Sequence, residues 1–199
     1  SSLETLQHAA LGQEQGAAAQ WLKAQGLDSA ARVGERLAVE AGWENAVEAA
    51  LGQLIEAVIV DAPEQLVDAL GELGEGRLAL VSSAADDGTY AATCLASKVQ
   101  GPRAIRRLLA RLHAAESLAE ARSLQAGLGA GESVITRAGE RLGDGWVRIV
   151  RSGAAKQGAL LREKDIQSLR AEIERHVARE RELESGLTHL RDQLLAAEQ

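Results

Sequence analysis

The chain of 199 residues carries 22 Lys plus Arg against 29 Asp plus Glu, a net charge of −7. Its apolar content rests on 38 Ala and 29 Leu, with no Phe, no Met and one cysteine. Cys94 alone excludes a disulfide framework or a Cys-rich zinc site and fits a reducing cytoplasm; no apolar run reaches the roughly 18 residues of a membrane span.

No charged-then-apolar leader opens the chain, and the missing Met reads as the mark of a piece excised from a longer protein. An acidic balance argues against general nucleic-acid binding, but the charge is uneven. Residues 1–100 have a net charge of −10, residues 101–199 of +3, and residues 101–164 of +6. The acidic total hides a basic second half.

Leu3, Leu6 and Ala10, and then Ala17 and Trp21, recur at three- or four-residue spacing within each group, which predicts a helix over 1–26 ended by Gly26 as a left-handed stop. Arg36 to Val39 reads as a short extended entry. Trp43 to Leu51 reads as a helix with Ala46, Val47, Ala50 and Leu51 on one face. Ile55 to Val60 is β-branched and predicts a strand. Pro63 to Leu70 reads as a helix opened by proline, and Leu78 to Val81 as a second strand. Residues 82–101 read as loop. Pro102 to Leu109 and Ser117 to Gln125 read as helices, the second with a capping box of Ser117 and Glu120. Strands are expected at Ser133 to Arg137 and Gly145 to Arg151, around the turn Gly143-Asp144-Gly145. A shortened helix-then-strand unit shows over 103–115.

The last forty residues carry a heptad. Ile166, Ile173, Leu187 and Leu194 fall at one core position and Leu169, Leu183 and Leu190 at the other, with Glu180 and His176 as polar interruptions. A helix over 162–199 would be about 57 Å long at about 1.5 Å per residue, far beyond the needs of a small domain. The expected organisation is therefore a helical arm over 1–26, a globular domain over 27–159 and a second arm over 160–199. The fold class is α+β: mixed helices and short strands, flanked by an antiparallel coiled coil made from the two chain ends.

Catalytic and cofactor motifs are absent from the sequence. Gly127-Leu128-Gly129-Ala130-Gly131 follows a helix rather than a strand, so it reads as a flexible loop and not a dinucleotide fingerprint. The four histidines are scattered and suggest no metal site. No cofactor, no small-molecule substrate and no enzyme activity is expected of this segment. The basic residues are more informative. Arg148, Arg151, Lys156, Arg162 and Lys164 line the passage from the last strand into the C-terminal helix, where they could follow phosphates without reading bases. Arg103, Arg106, Arg107 and Arg111 decorate one helix, with Ile105, Leu108, Leu109 and Leu112 assigned to its other face. The alternative for both groups is a solvated surface.

The block Gly42-Trp43-Glu44-Asn45-Ala46-Val47-Glu48-Ala49-Ala50-Leu51-Gly52, followed by Ala57-Val58-Ile59-Val60, resembles the hinge domain of bacterial structural-maintenance-of-chromosomes (SMC, condensin) proteins. Ser117 to Ala121, Val134 to Glu140 and Leu160 to Ile166 extend the resemblance. It implies a homodimer formed through strand edges around Gly145, Val147, Ile149, Gly153 and Gly158. It also implies reversal of a long coiled coil, non-specific DNA contact, and a cytoplasmic, nucleoid-associated protein whose ATPase heads lie at the far ends of the arms. The competing reading is a coiled-coil scaffold that recruits a protein partner and not DNA.

Overall fold

The computed structural model describes residues 16–73, 76–149 and 158–197. The chain divides into a globular unit ending at Leu161 and a helical unit from Arg162. The globular unit is a mixed α+β domain built on three small sheets.

Helix α1 (Ala17–Ala24) ends as its sequence predicts. Gly26 sits at φ +70, its amide donates to the Lys23 carbonyl, and the Leu27 amide donates to the Leu22 carbonyl. These two bonds satisfy carbonyls that the last turn leaves free. The expected role of this helix as arm is corrected over its described part. Trp21 and Leu22 are buried with Val58 and Val60 in a core of the globular unit.

One turn of helix, α2 (Val33–Arg36), leads into β1 (Ala38–Val39), which pairs antiparallel with β4 (Val99–Gln100). Helix α3 (Glu44–Leu51) buries Ala46, Val47 and Leu51 in the main core, beside Trp43, Leu95, Val99, Ile105, Leu109 and Ile135. The expected strand from Ile55 is shorter: residues 52–56 form a 3-10 turn, and β2 (Val58–Val60) pairs in parallel with β3 (Leu80–Ser82).

The helix expected from Pro63 to Leu70 is two 3-10 turns, Pro63–Leu66 and Ala69–Glu72. The Trp21 indole N–H donates to the Ala69 carbonyl at 2.7 Å, the carbonyl an α-helix would offer to residue 73. The Leu73 amide turns to Leu70 instead. The segment read as loop holds a 3-10 turn, Leu95–Lys98, and strand β4.

Helix α4 (Arg103–Leu109) and helix α5 (Leu118–Gln125) form as expected. Ser117 Oγ accepts the Glu120 amide at 3.3 Å. Glu120 reaches one residue further back than a capping box, taking the Glu116 amide at 2.8 Å.

The third sheet has the order β5-β6-β7-β8. Strands β5 (Leu112–Ala115) and β6 (Ser133–Thr136) are parallel, while β7 (Arg141–Gly143) and β8 (Trp146–Arg148) complete an antiparallel meander. Strand β7 was not expected; three residues carry too little alternation to announce a strand. Its entry turn needs Gly139, at φ +86, where a Cβ would stand 3.1 Å from the Asn45 carbonyl oxygen.

Helix α6 (Ala159–Ala197) enters the second unit, and Gly186 does not break it. Of the expected seam, Ile166 is buried, whereas Leu169, Ile173 and Leu183 are exposed. Leu187, Leu190 and Leu194 fall in this helix, their side chains outside the described part. None of the described helices is long and apolar enough to cross a membrane.

Candidate interaction edge and basic surface

The meander places one strand at the rim. Cross-strand pairs are Arg141 with Arg148, Leu142 with Val147, and Gly143 with Trp146. Directly opposed residues share a sheet face, so Arg141, Gly143, Trp146 and Arg148 lie on one face. Gly143 lets the Trp146 indole lie flat against its backbone, at a separation that leaves no room for a Cβ. The Arg141 guanidinium stands 5.5 Å from the Trp146 ring centroid, and its Nε donates to Ser133 Oγ at 2.9 Å. Burial, and then the opposed Arg148, hold the Arg141 guanidinium below its usual basicity.

The outer edge of β8 pairs with no strand among the described residues. Trp146, Val147 and Ile149 are 42%, 59% and 48% exposed, so apolar side chains and free backbone groups run together along this edge. An edge of that kind templates pairing with another chain. Gly145, at φ +72, makes the β7–β8 turn; of the strand expected from Gly145 to Arg151, the described part pairs only over Trp146–Arg148, with Val147 in it and Ile149 just beyond. Gly153 lies outside the described residues. Gly158 precedes α6 and packs against the carboxylate of Glu48 in its own chain, which a side chain would displace.

The basic residues separate by burial. Arg148 is exposed on β8, and Arg103 and Arg107 are exposed on α4. Arg103 Nε donates to the Ala85 carbonyl at 3.2 Å. Arg162 is half-buried and Lys164 exposed in the first turns of α6; Arg151 and Lys156 lie outside the described residues.

Arg106 is corrected. It is 6% exposed, with Nη1 donating to the Asp86 backbone carbonyl at 3.1 Å and standing 3.5 Å from the Asp86 carboxylate. Its guanidinium stacks on Tyr90, 4.6 Å from the ring centroid. Leu108, expected inside, is 53% exposed. The helical repeat explains both: positions 102, 105, 106 and 109 share a face, which leaves 104, 107, 108 and 111 outside.

The Tyr90 hydroxyl donates to Asp86 Oδ2 at 2.5 Å. This bond, with the Gly88 amide and Arg106, holds the Asp86 carboxyl below the usual carboxylate range. The same bond pushes the Tyr90 hydroxyl above its ordinary value. The cluster fastens the segment before β4 to α4.

Sequence reasoning missed three further groups. Trp43 is buried between two cations, Lys98 at 5.9 Å and Arg137 at 5.0 Å from its ring centroid. Lys98 pairs with Glu40 at 3.2 Å, and Arg137 pairs with Glu116, which holds the Glu116 carboxyl below its usual range. Glu132 accepts the Gly129 amide at 2.8 Å and meets His113 Nε2 at 3.2 Å, closing the glycine loop. The Gly129 amide first, and His113 next, keep its carboxyl low. Among the described residues no His, Cys, Asp and Glu cluster could hold a metal ion.

A model of the flexible hinge domain of SMC proteins matches residues 28–125. The Chromosome partition protein Smc of Xanthomonas oryzae pv. oryzae is 75% identical over 162 residues, 81% of this chain and 14% of that protein. Its namesake in Coxiella burnetii is 40% identical over 176 residues, 87% of this chain and 15% of that protein. The chain therefore spans 14 to 15% of the length of these relatives. Among solved structures, the asymmetric dimer of the Geobacillus stearothermophilus SMC hinge domain shares the fold, with a TM-score of 0.61 at 24% identity over 89% of this chain and 81% of that one. From the Trp43–Val60 block to the meander, fold and kinship agree: the chain belongs to the SMC family and carries its hinge domain.

Proposed function

We propose that this chain is the dimerisation hinge of a chromosome partition protein. It pairs two copies, reverses the direction of the flanking coiled coil, and touches DNA without sequence preference. The observation that carries the reading is strand β8, paired on one side and lined with exposed Trp146, Val147 and Ile149. A second copy offers the same edge, and pairing removes both sets of free backbone groups at once. The Geobacillus stearothermophilus hinge, crystallised as an asymmetric dimer, supports this reading.

The arms are the heptad from Ile166 to Leu194 and the N-terminal row from Leu3 to Ala17. DNA contact falls to Arg148, Arg151, Lys156, Arg162 and Lys164, with Arg103 and Arg107 as a second group; buried Arg106 leaves the set. Phosphate contacts of this kind give affinity without sequence information and a steep salt dependence. The segment's role is architectural, in the cytoplasm and on the nucleoid, while ATP hydrolysis belongs to heads at the far ends of the arms.

Light scattering on the 199-residue chain tests the dimer. The wild type should show the mass of two chains and Val147→Lys that of one; a monomeric wild type at micromolar concentration overturns pairing. Fluorescence anisotropy with a labelled duplex tests the surface. Binding unchanged after joint removal of Arg148, Arg151 and Lys156 overturns the DNA contact and leaves the scaffold reading.

A further inference from the structure

The β7–β8 hairpin sets two cations directly opposite each other. Arg141 and Arg148 are register partners on one face of the meander, and like charges at opposed cross-strand positions repel. Among the described residues no carboxylate forms an ion pair with either guanidinium. Arg141 is half-buried and held in place. Its Nε donates to the Oγ of Ser133 at 2.9 Å, and Ser133 is 1% exposed, so the guanidinium is anchored to the sheet by a neutral hydroxyl. Its terminal nitrogens have no hydrogen-bond partner among the described residues. Burial first, and then Arg148, lower its basicity, the direction expected of a cation with no counter-charge beside it. Arg141 also lines a cleft of about 450 Å³, together with Trp146, Asp144 and the loop from Leu128 to Ser133. That volume admits a small ligand. Of the two carboxylates in the lining, Glu132 is engaged by the Gly129 amide and His113, while Asp144 is exposed in the hairpin turn.

We propose that Arg141 and Arg148 together bind one phosphate group, carried by an ester whose organic part rests along Trp146. The planar Arg141 fork matches two phosphate oxygens, and Arg148 supplies the second charge. A bound anion turns the repulsion between the two arginines into attraction toward a shared partner. The charge of Asp144 works against the anion and limits its affinity. The inference deepens the DNA reading by adding Arg141 to it, because a backbone phosphodiester and a free phosphate ester present the same oxygens. It leaves the dimer edge alone, since strands pair through backbone groups in the plane of the sheet and these side chains stand on its face.

The probe is thymidine 5′-monophosphate, titrated into the 199-residue chain by calorimetry at fixed ionic strength, with thymidine as the uncharged control. The monophosphate should bind saturably and thymidine should not. Arg141→Gln and Arg148→Gln should each weaken it by about tenfold. Asp144→Asn should strengthen it, a gain that a merely structural role for the hairpin would not produce. A labelled duplex then separates the two sources of phosphate. Duplex affinity reduced in Arg141→Gln assigns the group to the DNA backbone; unchanged duplex affinity assigns it to a small ester. If Arg141→Gln does not fold, Arg148→Gln and Asp144→Asn decide, both being changes at exposed positions. The proposal is overturned by absence of saturable monophosphate binding, by equal binding of thymidine, or by wild-type monophosphate affinity in the folded arginine variants. A monomeric wild type, or a chain that ignores duplex DNA, would overturn the hinge reading while leaving these titrations readable.

Discussion

The carboxylate of Glu48, on α3, accepts the backbone amide of Leu160 at 2.6 Å, in the first turn of α6. The residues are 112 positions apart, so this helix start is capped by a distant side chain and not by a local Ser or Asp. Gly158 makes room for the carboxylate, and Leu160 is buried in the main core beside α3. A negative charge at a helix N-terminus is also favoured by the helix dipole. Glu48→Ala should cost about 1–2 kcal/mol in urea unfolding of the globular unit, with Glu48→Gln intermediate. Equal stability of all three proteins would remove Glu48 from this role.

The fit of Trp146 on Gly143 makes a second prediction. In Gly143→Val the indole must leave its seat, because the new side chain takes the same space. Trp21 and Trp43 are 6% and 1% exposed, so acrylamide quenching reports mainly on Trp146. Quenching should increase in the variant, and dimer mass should decline in parallel.

The Asp86–Tyr90 bond makes a prediction about pH. The Asp86 carboxyl titrates below its ordinary value in the folded protein, so the unfolded chain binds more protons as pH falls toward that range. Its stabilisation is complete above about pH 4 and is lost below it. The Tyr90 hydroxyl is shifted upward, so its contribution persists below about pH 10 and fades as pH rises through the folded value. Urea midpoints measured from acid to alkali should show a plateau between these limits. Tyr90→Phe should flatten the acidic slope and abolish the alkaline one.

Arg106 and Arg148 should separate cleanly in DNA binding. Arg148→Ala removes an exposed cation and should lower the slope of log affinity against log salt by about 0.9, with melting unchanged. Arg106→Ala should lower the melting temperature, because Asp86 and Tyr90 lose their buried partner, while leaving the slope intact. An unchanged slope in both variants would place the phosphates elsewhere.

Features set by neighbours along the chain were legible from the sequence. Gly26 stops α1, Ser117 caps α5, and the Trp43–Val60 block forms helix then strand because each depends on a few adjacent residues. The edge around Gly145, Val147 and Ile149 was expected from the family resemblance rather than from local pattern, and Trp146, which is exposed beside them, was not part of it. Choosing which side of α4 faces inward was harder. Arg106 and Leu108 differ by two positions, and their assignment depends on Asp86 and Tyr90 waiting on another segment. Trp21 read as part of an arm because its heptad-like spacing says nothing about Val58, Val60 and the Ala69 carbonyl, which claim it. The Glu48 cap brings together residues far apart in the chain, which local pattern cannot foresee.

Strand β6 is buried on both faces, and its adjacent residues Val134 and Ile135 enter different cores. A slip of one position along β5 or β7 would send each side chain to the wrong side. Two independent packings would then fail together, and the penalty for misalignment would be collected twice. The register of the hairpin that presents β8 is therefore specified from both sides of the sheet at once, through β6.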